Sequence, residues 1–466
     1  MKASILVGHV LDRLKDIPDG SVQTCVTSPP YWGLRSYSTE PKIWGGDPLC
    51  DHEWVEWIKP AAEGTLTLDG NSALRAGHQG SVSATMRPTI SNFCNICGAW
   101  KGELGLEPTP QLFVEHIVLV FREVKRVLRD DGVIWINLGD SYTGSGKGGN
   151  PEAGKQATNK GSQTVGVLYG KTGDQQMEVA QTNVTRNYDA IPPKNLVGIP
   201  WRVAFALQDD GWILRSEIIW SKPNPMPESV EDRPTKAHEQ IFLLSKSPRY
   251  FYDHEAVKED AAFPEMTHKS SRKSESQEEA YFGNAPTNLG RCGTLEGKRN
   301  KRSVWEVVTQ PYPESHFATF PEALIEPCIL AGTSEHGACP ECGSPWKRIT
   351  NSPKPPDEVY TETRNPCDEM VGRTSRKGGN GQAYQNWKSE NPTQTIKWEP
   401  TCKCVSDKPL KPCLVLDPFC GSGTTGVVSL RYHRDFVGCE LNPEYASMAE
   451  RRIGNEAPMF NEVEVI

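Results

Sequence analysis

Leu414-Val415-Leu416-Asp417-Pro418-Phe419-Cys420-Gly421-Ser422-Gly423-Thr424-Thr425 reads as a strand, a glycine-bearing turn and the opening of a helix. The apolar run ends in Asp417. Gly421 and Gly423 let the backbone approach a ligand closely, and a helix opening at Thr424 turns its free N–H groups toward the same point. A short glycine turn alone is a weak sign. The next segment strengthens it: Phe436-Val437-Gly438-Cys439-Glu440 is a second strand, ending in a carboxylate about 20 positions further on, suited to both hydroxyls of a ribose. Leu441 and Asn442 would flank an adenine, and a further helix starts at Pro443.

The same rhythm opens the chain. Ile5-Leu6-Val7 is a short strand, and Leu11, Leu14 and Ile17 share one helical face. After the Pro18-Asp19-Gly20 turn, the strand Val22 to Val26 delivers Thr27-Ser28-Pro29-Pro30-Tyr31-Trp32 at its C-terminal end, the edge where open α/β sheets bind ligands. Thr109-Pro110 starts an amphipathic helix marked by Leu112, Phe113, Ile117, Val120, Phe121, Val124, Val127 and Leu128. Asp131-Gly132 turns into the strand Val133 to Leu138. A helix-strand unit follows over 195–221, then a hairpin from Gln240 to Tyr252 turning at Ser247-Pro248. Residues 143–190 hold too little apolar matter to pack and are expected to be a mobile loop.

The 466 residues suffice for a large core, and the net charge of −8 means that any nucleic-acid surface must concentrate its cations locally. Lys298-Arg299-Asn300-Lys301-Arg302 is one such cluster; both a solvated face and a DNA contact stay open for it. No apolar run approaches the roughly 20 residues that span a bilayer. The N-terminus is not a signal peptide, so a cytoplasmic protein is expected. Gly144-Ser145-Gly146-Lys147-Gly148-Gly149 suggests a phosphate loop, but Ser141 and Gly148 stand where that motif needs glycine and a hydroxyl residue.

The two terminal motifs together resemble the permuted β group of S-adenosylmethionine-dependent DNA amino-methyltransferases, the N4-cytosine/N6-adenine family. The resemblance covers roughly 1–40, 109–255 and 313–455. It implies an α/β, Rossmann-like, mixed seven-stranded sheet, circularly permuted so that the catalytic motif comes first. It implies cofactor contacts from Asp417, Phe419, Cys420, Gly421, Ser422, Gly423, Thr424, Glu440, Leu441 and Asn442. His316-Phe317-Ala318-Thr319-Phe320-Pro321 is similar to the family segment that covers the methionine end, which adds His316, Phe317, Ala318 and Phe320. Gly8-His9 departs from the family's Gly-Asp, so what meets the adenine amine stays open.

Ser28, Pro29, Pro30 and Tyr31 form the implied catalytic set. A base amine is a poor nucleophile because its lone pair is delocalised into the ring. Acceptors at Ser28 Oγ and the Pro29 carbonyl can draw its protons and aim the lone pair, the prolines stiffen the loop, and Tyr31 offers a stacking face for a flipped base. Within the family, Ser before Pro-Pro-Tyr leans toward cytosine N4; adenine N6 is the alternative. An inactive zinc-containing DNA-binding protein is a further alternative. Double-stranded DNA is the expected partner, with a cognate restriction enzyme a further candidate, and the protein a monomer or homodimer. Pro327-Cys328, Pro366-Cys367 and Pro412-Cys413, each a candidate ring-carbon nucleophile, read as incidental.

The chain holds 14 cysteines, which in a reducing compartment point to metal or burial before disulfides. Cys50, His52, Cys94 and Cys97 offer one set of four ligands; Cys339, Cys342, Cys402 and Cys404 offer another. Two short pairs separated by an excursion suit structural zinc, with no position left for a catalytic water. The expected organisation is thus 1–40 for the catalytic motif, 41–105 for a zinc-binding insertion, 106–222 for core, and 223–310 for target recognition. Residues 311–335 and 410–466 hold the cofactor, and 336–409 form a zinc-ribbon-like insertion.

Overall fold

A computed structural model describes residues 1–33, 39–57, 89–143, 191–192, 194–260, 298–310, 320–351, 353–354, 356, 361–363, 376–378, 387, 390–456 and 462–466. The chain divides into two compact units: Met1–Pro29 with Leu119–Gly139 and Pro200–Ile466, and Pro30–Val118 with Asp140–Ile199.

The first unit is built on a nine-stranded sheet. Its strands are β1 (Lys2–Val7), β2 (Val22–Thr27), β3 (Leu128–Leu138), β4 (Ile213–Ser221), β5 (His238–Ser245), β6 (Val304–Glu306), β7 (Leu414–Asp417), β8 (Asp435–Glu440) and β9 (Glu462–Val465). Their spatial order is β6-β4-β5-β3-β2-β7-β8-β1-β9. Only β5 runs against its neighbours. The inner seven are the expected mixed sheet, and the short strands β6 and β9 extend its edges in parallel. All six residues of β2 are buried, as a central parallel strand covered on both faces requires.

Helices α4 (Glu322–Gly332), α5 (Thr424–Arg431) and α6 (Pro443–Glu456) pack with this sheet; they follow α1 (Val10–Arg13), α2 (Pro110–Val127) and α3 (Ile199–Asp209). Val26, Val133, Val415, Phe436, Leu324 and Val428 belong to one buried cluster. The helix expected after β1 is short, because Leu14–Asp16 tightens into a 3-10 turn.

The hairpin expected over 240–252 does not form. Both edges of β5 are already taken, by β3 and β4, so no edge is free for a return strand. The chain instead leaves the sheet, with Ser247 Oγ donating to Asp130 O at 2.8 Å and Phe251 N–H to Asp131 O at 2.8 Å. β3 also starts earlier than its apolar run, at Leu128, through a register shift opposite Val22 and Thr24.

The basic cluster at 298–302 is largely neutralised within the chain. Lys298 pairs with Asp260 at 2.7 Å, and Arg299 and Arg302 share Glu259 at 2.9 and 2.6 Å. That favours a structural role over a DNA contact. The phosphate-loop-like glycines and most of the loop over 143–190 lie outside the described residues. Among the described residues no helix is long and apolar enough to cross a membrane.

The second unit contains a small antiparallel sheet of Lys42–Trp44, Trp100–Gly102, Thr89–Cys94 and Trp54–Trp57, in that order. α2 begins in it; Thr109 caps that helix, its Oγ1 accepting from Leu112 N–H at 3.1 Å.

Candidate active site and metal clusters

Asp417 ends β7 pointing inward, 2% exposed. One carboxylate oxygen accepts from Thr27 Oγ1 at 2.6 Å and Phe419 N–H at 3.0 Å; the other accepts from Thr425 Oγ1 at 2.7 Å. Thr27 is the last residue of β2, directly before Ser28, so this carboxylate ties the end of the catalytic strand to the cofactor turn. Beyond the cofactor contact expected of Asp417, its side chain joins two strand ends.

Burial pushes the Asp417 carboxyl up to about 6 from 3.8, against the pull of Thr27 and Thr425. A raised carboxyl pKa adds stability below the unfolded value and loses it as pH rises through the folded one. The stability advantage of the wild type over Asp417→Asn should therefore shrink by about 1.4 kcal/mol between pH 5 and pH 7.5. Denaturant titrations at the two pH values measure it; a constant difference would remove the buried, titrating carboxyl.

The rest of the turn divides its labour. Cys420 is buried against the sheet: its N–H donates to Cys439 O at 2.9 Å, and a Cβ on Gly438 would sit 2.8 Å from its Sγ. Its thiol therefore faces inward, and only its backbone is left for a ligand. Ser422 and Thr424 are held by Arg452 of α6, whose Nη1 donates to Ser422 O and Oγ at 2.7 Å each and to Thr424 Oγ1 at 3.1 Å. Gly423, at φ 80°, would drive a Cβ to 2.8 Å from Ala449 Cβ, so this glycine serves helix packing.

Gly421 differs. A Cβ there would meet nothing nearer than Phe419 O at 4.0 Å, leaving its flank open to a ligand. Its N–H donates to Glu440 Oε2 at 2.7 Å, while Asn442 N–H donates to Glu440 Oε1 at 2.8 Å. The carboxylate is thus fixed at the end of β8 with lone pairs to spare, as ribose hydroxyls need. Asn442 caps α6 through Glu444 N–H at 2.8 Å, a role beyond the adenine contact expected of it. Gly8 N–H donates to Glu440 O at 2.9 Å, which brings the Gly8-His9 turn to the same sheet edge. Leu441 and Phe419 are half-buried there, and Phe320 packs on the core. His316, Phe317 and Ala318 lie outside the described residues.

Ser28 is half-buried and Pro29 buried at the end of β2; Pro30 and Tyr31 are half-buried. Pro29 ends the first segment of the first unit, and Pro30 opens the second unit. The incidental reading of Pro-Cys fits at two positions: the Cys328 and Cys413 thiols are 1% exposed, and burial raises both, Cys413 to about 11. Cys367 lies outside the described residues.

Both expected ligand sets assemble. In each, the four ligand atoms lie within 4.8 Å of one another. Cys50 Sγ and Cys94 Sγ are 3.9 Å apart, and Cys97 Sγ is 3.4 Å from His52 Nδ1. Zn–S bonds of about 2.3 Å at tetrahedral angles require S···S near 3.8 Å, so the set fits an ion and is far from a disulfide. In the second set, the Cys342 thiol is drawn down to about 6: burial raises it, and the Ser344 hydroxyl and N–H together with the Cys404 and Cys402 thiols outweigh that. The pairs 339/342 and 402/404 flank a two-stranded ribbon, Trp346–Asn351 with Gln394–Pro400.

This second knuckle is latched to the central sheet. Gln23 of β2 donates to Gly343 O at 2.8 Å; Arg129 of β3 donates to Cys342 O and, at 2.9 Å, to Ser344 Oγ. Sequence reasoning missed Gln23, Arg129, Thr27 as partner of Asp417, and Arg452. The one available signal was Gln23, a long amide side chain in a strand whose six residues are all buried.

A sheet with a cofactor turn and a Ser-Pro-Pro-Tyr motif on parallel strand ends defines an α/β methyltransferase. The family profile described as DNA methylase, of the N6/N4 type, matches residues 22–339 and 402–451, and the chain belongs to that family. The gap between the matched segments falls within the second cysteine insertion. The chain is 32% identical to the Type II methyltransferase M.Cfr9I of Citrobacter freundii, over 97% of this chain and 88% of that protein. It is 31% identical to M.SmaI of Serratia marcescens, over 96% and 90%. A solved PvuII DNA methyltransferase, titled cytosine-N4-specific, aligns over 100% of this chain and 95% of its own at 13% identity and a TM-score of 0.43, too loose a likeness to add anything. The protein is a DNA methyltransferase of the N4/N6 amino class that uses S-adenosylmethionine.

Proposed function

We propose that the protein methylates cytosine N4 at a specific site in double-stranded DNA, as a Type II modification enzyme like the relatives above. The observation that carries the reading is the tie from Thr27 through Asp417 to Thr425, which fixes Ser28 relative to the cofactor turn. Gly421 and Glu440 would hold S-adenosylmethionine, which when bound would supply an electrophilic methyl on its sulfonium. Ser28 Oγ and the Pro29 carbonyl accept the protons of a flipped amine and aim its lone pair, and Tyr31 stacks on the base. Transfer is a direct in-line displacement: the N–C bond forms as the C–S bond breaks, and the acidified amine then releases its proton. Ser28, rather than Asp or Asn, before Pro-Pro-Tyr is what favours cytosine over adenine.

The segment 223–310 is assigned to target recognition, and the two cysteine clusters to structural zinc. The Type II names of the relatives favour a partner restriction enzyme, and the setting is the cytoplasm. Modification-sensitive sequencing of a plasmid propagated with the gene tests the proposal. Modified cytosines at one recurring sequence are expected; modified adenines would transfer the reading to N6, and no recurring site would remove the specificity.

A further inference from the structure

Behind the second half of the Ser-Pro-Pro-Tyr motif lies a buried polar pair that the catalytic chemistry does not use. Glu107 is 0% exposed and His116 is 2% exposed, with Glu107 Oε1 2.9 Å from His116 Nδ1. The other carboxylate oxygen accepts from Gly105 N–H at 2.8 Å. Gly105, at φ 95°, backs directly on the motif: a Cβ there would stand 3.1 Å from Tyr31 O and 3.3 Å from Pro30 Cβ. Gly33 N–H donates to Gly105 O at 2.7 Å, and buried Trp32 donates from Nε1 to Glu107 O at 2.9 Å. The loop from Pro30 to Gly33 is thus held along its length by 105–107.

The pair is itself held from the other side. The His116 ring stacks on Trp44 and Trp100, with centroids 5.2 and 5.5 Å away and 25° between planes. Those two tryptophans face each other across paired strands. Trp100 also pairs with Phe93, the neighbour of the metal-ligating Cys94. A chain of contacts therefore runs from the first cysteine cluster through Trp100 and His116 to Glu107, Gly105 and Tyr31.

Burying a carboxylate and an imidazole is expensive, and well-packed apolar side chains would stabilise such a site as well or better. What apolar residues cannot do is fix the Gly105 N–H in one orientation. We infer that Glu107 and His116 are positioning residues that set the pose of Tyr31 for the base it stacks on, with the first cysteine cluster as their anchor. This rests on the reading of Tyr31 as the stacking residue.

The test compares wild type, Glu107→Gln, His116→Gln, Tyr31→Ala and the double variant Tyr31→Ala/Glu107→Gln, with unmethylated genomic DNA as substrate. Glu107→Gln keeps the shape but removes the charge and obliges His116 Nδ1 to accept from an amide N–H if Gly105 is still to be held. Its kcat should fall about 10- to 100-fold at unchanged S-adenosylmethionine affinity, and the fall should largely vanish in the Tyr31→Ala background. The near-ultraviolet circular dichroism of the stacked tryptophans reports folding. A folded Glu107→Gln enzyme with wild-type kcat, or a loss that adds in full to that of Tyr31→Ala, would overturn the inference. So would loss of the tryptophan band in both Glu107→Gln and His116→Gln, which makes the pair a folding element only. If Tyr31→Ala itself keeps wild-type kcat, the stacking assignment fails instead.

Discussion

With zinc in both clusters as proposed, replacing Cys342 with serine should remove one equivalent per chain and cost at least about 3 kcal/mol of stability, a fraction of the ~10–16 kcal/mol that structural zinc contributes in small domains. The expectation follows from where the knuckle sits. Cys342 O and Ser344 Oγ accept from Arg129, and Gly343 O accepts from Gln23. Gln23 also accepts Leu414 N–H, so one side chain joins the knuckle to both β2 and β7. Losing the metal should therefore loosen the two strands that carry the catalytic and cofactor motifs as well as the insertion. Elemental analysis of dialysed protein counts the zinc, and denaturant unfolding measures the stability. Two equivalents retained, or an unchanged midpoint, would take this cluster out of the account.

Ser28→Ala should lower kcat about 10²- to 10³-fold, the range for removing one preorganised polar group that acts on the reacting centre, while S-adenosylmethionine affinity stays as it was. The two effects separate because, in the proposed mechanism, the hydroxyl acts on the amine protons in the transition state while Gly421 and Glu440 hold the cofactor. Folding should be little changed, since β2 is fixed by Thr27 and its buried neighbours rather than by Ser28. Single-turnover kinetics and calorimetry read the two quantities. A kcat within a few-fold of wild type would mean that Ser28 does not touch the amine.

The two ends of the site were legible because each is a local pattern. A strand ending in Asp417 or Glu440, glycines in a turn, and prolines after a strand all announce themselves within a few residues. So did the ligand pairs, since a knuckle needs its cysteines close in sequence. What stayed hidden is long-range. Thr27 and Asp417 are 390 positions apart, and their hydrogen bond gives Asp417 a structural role that its place in the motif does not announce. Arg452 reaches back 30 positions to Ser422 from a helix whose polar face gives no hint of it. The missing hairpin failed for the same reason: Ser247-Pro248 is a good local turn, and only the sheet order, with β3 and β4 on both sides of β5, denies it a partner. Glu107 and His116 look like ordinary surface residues until the tryptophans close over them.

The central claim is that the Ser28 loop and the Gly421–Glu440 turn serve one transfer to an exocyclic amine. The most direct measurement supplies S-adenosylmethionine with an isotope-labelled methyl group to the enzyme and unmethylated genomic DNA, digests the product to nucleosides, and identifies the labelled one by mass spectrometry. The account predicts label in N4-methylcytosine; N6-methyladenine would keep the chemistry and change the base. Label in 5-methylcytosine, or none in DNA, would contradict it.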